Sequence, residues 1–268
     1  MNYVNKDSIY GLMNKYCEYD TSQSFWKNRK HSKKVVCCDY EEYDNSCNEI
    51  NYMYLDNPIG IKGEYSVNQI RSIIDESFLG NNLTRQNHRE IFETVRKYYT
   101  KIRVRTSFED FNKYYEKLIE MIEIWRYELG YKYRWQEHAG IDKAFFIRCL
   151  DENFFNNYLV YLFFIEDEDV LVGYSVMPKK YSLNENGLNE ASYIIRKTRN
   201  IVYDKKLRNI TEYIDWYTFQ DYLLKNKLNN IIINWGCSGG GVEWYKEHKW
   251  PLYDKEKKWF LKKKNIQK

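Results

Sequence analysis

Proline is nearly missing from this chain of 268 residues, which holds three of them. So few chain breakers exclude a proline-rich spacer, and no serine-rich linker, internal repeat or low-complexity tract divides the sequence. No apolar run approaches the roughly 20 residues that cross a bilayer as a helix. Met1 to Asp7 carries no hydrophobic signal core. Together these absences lead to the expectation of a cytoplasmic protein with no membrane partner. The six cysteines (Cys17, Cys37, Cys38, Cys47, Cys149 and Cys237) form no CxxC pair and no regular spacing, and in a reducing compartment they read as free thiols. Cys37, Cys38 and Cys47 near His31 could make a zinc site, but adjacent cysteines rarely both face one metal, and no metal is expected.

Charge of one sign is also lacking, since the net charge is only +4. That sum does not mark a nucleic-acid binder, which shows a strongly basic face. The distribution is more uneven. Lys179, Lys180, Arg196, Lys197, Arg199, Lys205, Lys206 and Arg208 crowd one segment, opposed by Glu185, Glu190 and Asp204. Such a cluster attracts phosphate. The lysine-rich stretch from Lys255 to Lys268 reads as a solvated basic terminus.

What is abundant is aromatic. Aromatic residues make up 18% of the chain and hydrophobic residues 43%, enough for one large core or two modest ones. Tyrosine, asparagine, lysine and isoleucine abound while alanine is scarce, the signature of an AT-rich genome such as that of a phage or a low-GC bacterium. The expected boundary falls near residue 100. Before it, Lys33–Cys38 and Asn51–Leu55 read as strands, Pro58–Gly63 as a turn, and Val67–Leu79 and Gln86–Tyr99 as helices. Residues 1–100 are thus expected to form an accessory region.

From residue 101 the pattern sharpens. Lys101–Ser107 alternates as a half-buried strand does. Ser107 can cap a helix with Asp110 three residues on. Phe108, Phe111, Tyr115, Leu118, Ile122 and Trp125 then fall on one helical face. A second helix spans about Ile141–Phe155. Tyr158–Ile165 is apolar throughout, as a strand buried on both faces would be, and it pairs across Glu166–Asp169 with Val170–Met177. A strand through Ala191–Val202 follows, then a helix over Ile210–Leu224 with Asn209 as its cap and Glu212 at its third position. An Ile231–Ile233 strand, a Val242–His248 helix and a strand near Lys258–Leu261 complete the order.

The most informative stretch runs from Asn234 to Pro251, where a β-branched strand leads through Asn234, Trp235 and the bend Gly236-Cys-Ser-Gly-Gly-Gly241 into a helix bearing Trp244-Tyr245-Lys246-Glu247, with Trp250 before the proline. Residues 101–268, read in order, resemble one whole domain of the Gcn5-related N-acetyltransferase (GNAT) superfamily. Leu171-Val-Gly173 resembles its central hairpin, and Tyr245 to Trp250 its closing helix. The resemblance implies an α+β fold with a mixed, largely antiparallel central sheet flanked by helices. It also implies an enzyme that moves an acyl group (acetyl or aminoacyl) from an activated donor to an amine acceptor. Phage relatives in the family make a modified nucleotide or DNA base one candidate acceptor.

By the same resemblance, Tyr245 is the general acid, and its ordinary pKa near 10 suits donation to a leaving group. Asn234 would hold a donor amide or a water. Glu166 at the hairpin tip, or His138 between the first two helices, would accept the amine's proton. Ile201, Val202, Lys205, Lys206, Arg208, Asn209 and Thr211 would line the site of acetyl-CoA or another acyl donor. The departure lies here, because the family's phosphate-gripping loop carries glycines, whereas Asp204–Thr211 carries none. Ser238 lacks the Gly-x-Ser-x-Gly elbow of a serine nucleophile, so Gly239–Gly241 reads as a flexible or anion-binding bend. The competing reading is a non-catalytic nucleic-acid-binding protein on the same scaffold.

Overall fold

The structure, a computed structural model, describes residues 34–35, 50–55, 64–128, 142–143, 145–166, 170–198, 207–238 and 241–262. These form two units. One comprises the strands before Ser72, Asn234–His248 and the chain from Leu252 onward. The other comprises Ile73–Ile233 and Lys249–Pro251. Both are mixed α and β structure, and their two sheets are largely antiparallel.

In the first unit, strands β1 (Lys34–Val35), β2 (Ile50–Leu55) and β3 (Glu64–Asp75) join β10 (Asn230–Ser238) and β11 (Leu252–Lys262) in the order β1-β2-β11-β3-β10. The sequence predicts a helix over Val67–Leu79, and the structure corrects it to a strand. Residues 64–72 of β3 pair antiparallel with β11, from Glu64 opposite Leu261 to Ser72 opposite Leu252. Ile70, Ser72 and Ile74 are all fully buried, a period of two. The isoleucine spacing fits either period, and long-range pairing decides between them. A short 3-10 turn, Glu76–Phe78, ends the strand, with Asp75 accepting from the Ser77 backbone N–H.

In the second unit, β4 (Ile102–Arg105), β5 (Tyr158–Ile165), β6 (Val170–Pro178) and β9 (Ile195–Thr198) form a four-stranded sheet in that order, every pair antiparallel. Strands β7 (Ser182–Leu183) and β8 (Asn189–Ser192) pair antiparallel with each other and lie outside this four-stranded sheet. The single strand expected over Ala191–Val202 is therefore two, and the chain changes sheets at Tyr193–Ile194. Both of those residues are buried, and the Ile194 N–H donates to the Val176 carbonyl.

The helices cover both faces of the four-stranded sheet. Helix α1 (Arg89–Tyr98) follows β3, and α2 (Phe108–Glu128) follows β4. Ser107 accepts from the Asp110 N–H at 3.0 Å, so the predicted cap forms. Phe111, Leu118 and Ile122 are buried as expected, joined by Tyr114, whose ring meets Phe164 at 4.6 Å. The helix expected over Ile141–Phe155 is interrupted. Residues 142–143 and 145–148 are helical, and a separate turn, α3 (Glu152–Phe155), starts where Asp151 accepts from the Asn153 N–H. On the opposite face lies α4 (Ile210–Asn226), with Trp216 donating to the Phe78 carbonyl at 2.7 Å. Helix α5 (Gly241–Lys249) leads into β11, which runs well beyond the Lys258–Leu261 core predicted for it.

Gly173 explains the Leu-Val-Gly signature of the hairpin physically. A Cβ there would sit 2.3 Å from Ile214 Cδ1 and 3.0 Å from the Lys197 carbonyl. The missing side chain lets α4 close on β6 while β9 pairs beside it. Gly173→Ala should cost about 1–3 kcal/mol through overpacking, read as a lower urea midpoint. An unchanged midpoint would show that α4 does not lie against this glycine.

Candidate active site

The bend expected from Gly236 onward is strand as far as Ser238, and Asn234–Gly236 instead form a kink within β10 that is held from several sides, all within the first unit. Asn234, 4% exposed, uses one side-chain oxygen twice. It accepts from the Gly236 N–H at 2.9 Å and from Gln69 Nε2 at 2.9 Å. The first bond closes a side-chain turn. Gly236 sits at φ 68°, which glycine adopts without strain. Trp235 donates from its ring to Ser72 Oγ at 2.8 Å, and its carbonyl accepts from Lys246 Nζ at 2.8 Å.

Lys246 is 7% exposed, on α5 directly after Tyr245. Burying an ammonium is costly unless it is paired. Here the cation finds the Trp235 carbonyl and lies 6.0 Å above the Trp235 ring. Tyr245 is half-buried on the same helix. Toward β11, Glu243 and Glu247 both bond Lys255, and Asn68 donates to Glu243 at 2.6 Å. The Lys255 and Asn68 bonds hold the Glu243 carboxyl below its usual range. These carboxylates orient α5 and are engaged in doing so. The unit therefore fixes both the strand end carrying Asn234 and the helix carrying Tyr245.

In the second unit, adjacent cations on β9 point to opposite faces, each met by a buried aspartate. Lys197, opposite Tyr174 in the β6–β9 register, lies 4.0 Å from Asp142, which also accepts from the Tyr174 hydroxyl at 2.5 Å. Arg196, opposite Ser175, lies 3.3 Å from Asp215, which also accepts from the Tyr193 hydroxyl at 2.7 Å. Asp142 and Asp215 are 2% and 0% exposed. Burial pushes the Asp142 carboxyl up against the opposing pull of Lys197 and the Tyr174 bond. These two cations of the basic segment are thus engaged inside the fold rather than displayed for phosphate.

The other predicted residues separate cleanly. Glu166 is exposed, and its N–H donates to the Lys101 carbonyl. The Arg208 carbonyl accepts from the Tyr98 hydroxyl at 2.6 Å and from Lys97 Nζ at 3.3 Å. Asn209 precedes α4 in the left-handed region, at φ 65° and ψ 18°, and its side chain makes no cap bond, unlike the cap expected of it. Thr211 Oγ1 lies 3.2 Å from Thr198 Oγ1. His138, Ile201, Val202, Lys205, Lys206, His31, Cys37, Cys38 and Cys47 lie outside the described residues. Among the described residues there is no metal-ligand cluster and no helix long and apolar enough to cross a membrane.

Sequence reasoning missed Lys246, Gln69 and Ser72, whose roles come from pairing distant in the chain. The structure places His88 Nε2 2.8 Å from Ser77 Oγ and its ring 3.9 Å from that of Phe78. Ser77 gives its hydroxyl proton to Asp75, so this trio is a hydrogen-bonded tie at the end of β3 rather than a base-activated nucleophile.

No family model matches the chain, and no curated protein matches it. Solved structures do. A conserved protein of unknown function from Bacteroides thetaiotaomicron is similar at 12% identity and TM-score 0.50, over 83% of this chain and 73% of that one. It shares the fold. L-PGS from Bacillus licheniformis aligns at 14% identity and TM-score 0.44, over 81% of this chain and 69% of that one. A GCN5-related N-acetyltransferase from Sphaerobacter thermophilus aligns at 10% identity and TM-score 0.39, over 79% and 59%.

Two measurements check this geometry. Lys246→Met keeps the side-chain length but leaves the buried Trp235 carbonyl without that donor, and should lower unfolding free energy by about 1–3 kcal/mol. The Asp142 carboxyl is raised in the folded state, so its contribution is fully present below the ordinary carboxylate pKa and is lost as pH rises through the folded value. Urea titrations should therefore show Asp142→Asn gaining stability relative to the parent chain between about pH 4 and pH 7. A constant difference would mean that Asp142 ionises freely.

Proposed function

We propose that the protein is a GNAT-fold transferase that moves an acyl or aminoacyl group from an activated donor to an amine. The observation that carries this reading is the braced kink of Asn234–Gly236 within β10, tied through Lys246 to the helix bearing Tyr245.

In this reading the amine nitrogen attacks the donor's carbonyl carbon, forming the new C–N bond. The carbon–leaving-group bond then breaks, and the Tyr245 hydroxyl gives its proton to the departing group. Asn234 acts through position. Both acceptor sites of its side-chain oxygen are taken by Gln69 and Gly236, so it shapes the bend rather than holding a water by that atom. Glu166 and His138 are the candidates for accepting the amine's proton. The chemistry is assigned to residues 101–268. The accessory region of residues 1–100 contributes β3, whose Gln69 and Ser72 brace the bend. The acceptor class includes small metabolites, nucleotides and modified DNA bases carrying a primary amine.

Tyr245→Phe should lower kcat on the order of 10²-fold, the usual scale for losing a general acid, with the unfolding midpoint unchanged. The assay is transfer of a labelled acyl or aminoacyl group to an amine panel. Full activity in the phenylalanine variant would remove Tyr245 from the reaction.

A further inference from the structure

Amide formation needs an acid for the leaving group and a base for the amine, and the two must work side by side. In the tetrahedral intermediate the amine nitrogen and the leaving atom are bonded to the same carbon. An acid and a base that each reach one of them across a hydrogen bond of about 2.6–3.2 Å therefore stand only a few ångströms apart. Side chains three or four residues apart on a helix meet that spacing, with Cβ atoms about 5–6 Å from each other. Helix α5 holds such a partner for Tyr245. His248 follows three residues later, and it is exposed.

Two contacts prepare the His248 imidazole. Its Nδ1 lies 2.8 Å from the Trp244 carbonyl oxygen, one turn back along the helix. A carbonyl only accepts, so Nδ1 carries a proton and the neutral ring keeps its lone pair on Nε2. The ring also stacks on the Trp244 indole, with centroids 4.8 Å apart and planes 13° from parallel. One nitrogen tied to an acceptor, with the lone pair left on the other, is how a general base is oriented. The charged side chains of α5 have other partners. Glu243 and Glu247 bond Lys255, Lys246 bonds the Trp235 carbonyl and Lys249 pairs with Glu90.

We propose that His248 accepts the amine's proton in the transfer that uses Tyr245, an inference that rests on the transferase reading. The amine nitrogen bonds to the carbonyl carbon, and its proton passes to His248 Nε2. The resulting imidazolium still donates from Nδ1 to the Trp244 carbonyl. The carbon–leaving-group bond breaks with its electron pair on the leaving group, which takes the Tyr245 proton. Solvent then restores the proton on Tyr245 and removes the one on His248. Glu166 belongs to the second unit and His138 lies outside the described residues, whereas one helix sets the spacing of His248 and Tyr245.

His248→Asn tests this, because the asparagine amide can keep the bond to the Trp244 carbonyl while offering no base. His248→Gln is measured beside it, and neither change at an exposed position should move the urea midpoint. Transfer is followed between about pH 5 and pH 8, where histidine titrates, with an acceptor amine that stays unprotonated throughout. In the parent chain kcat/KM should fall toward acid as the base takes a proton. In the variants it should be lower on the order of 10²-fold at neutral pH and lack that acid limb, and added imidazole should restore part of it. A variant that keeps the acid limb overturns the inference, whatever its rate, and leaves Tyr245 in the reaction. A parent chain that transfers nothing to any amine removes the transferase reading and this inference with it.

Discussion

A buried lysine on a short helix, reaching back to a carbonyl within the preceding strand, is the constraint around which the candidate site is organised. Lys246 and Trp235 define the return of α5 onto β10. Asn234 and Gly236 set the kink in that strand, and Ser72 and Gln69 on β3 hold both Trp235 and Asn234 from the side. A lysine buried to this extent is stable only where its proton donors are satisfied. The bond therefore selects one geometry for the bend, and with it one position for Tyr245. Packing alone would leave a glycine-rich connection with many alternatives.

The second unit applies the same economy to charge. Two neighbouring cations on β9 are each paired with an aspartate that also accepts from a tyrosine hydroxyl, one on either face of the sheet. Opposite-facing neighbours are what a strand's pleat imposes. The outcome is a β9 whose side chains are bound into both covering layers. It also changes the meaning of the basic segment. A cluster that suggests phosphate binding when read as a string of letters is, at Arg196 and Lys197, half-buried and paired with interior aspartates.

Much of this was legible in the sequence. The continuous apolar run Tyr158–Ile165, its pairing with the apolar run from Val170 and the Ser107 cap are local signals, and each forms as the local chemistry dictates. Where the local signal is ambiguous, partners far along the chain decide. Val67–Leu79 carries apolar spacing compatible with a helix, yet its pairing with β11, more than 180 residues away in sequence, makes it a strand. Ala191–Val202 looks like one strand because nothing at Tyr193 or Ile194 announces a change of sheet. Asn209 has the composition of a helix cap, but a left-handed backbone turns its side chain away from that task. Of the candidate site, Tyr245 and Asn234 were visible from order and type, whereas Lys246 was not. A lysine on an amphipathic helix reads as solvated, and only the Trp235 carbonyl gives it a reason to be buried.

Group transfer is the central claim, and it is tested most directly by following a label. The purified chain is incubated with acyl and aminoacyl donors carrying a labelled acyl group, together with a panel of amines that includes aminated nucleosides. Mass spectrometry then identifies where the label resides. The account predicts label in an amide product, formed by the parent chain and strongly reduced when Tyr245 is phenylalanine. Label found only in unreacted donor or free acid, across donors and amines alike, would contradict it.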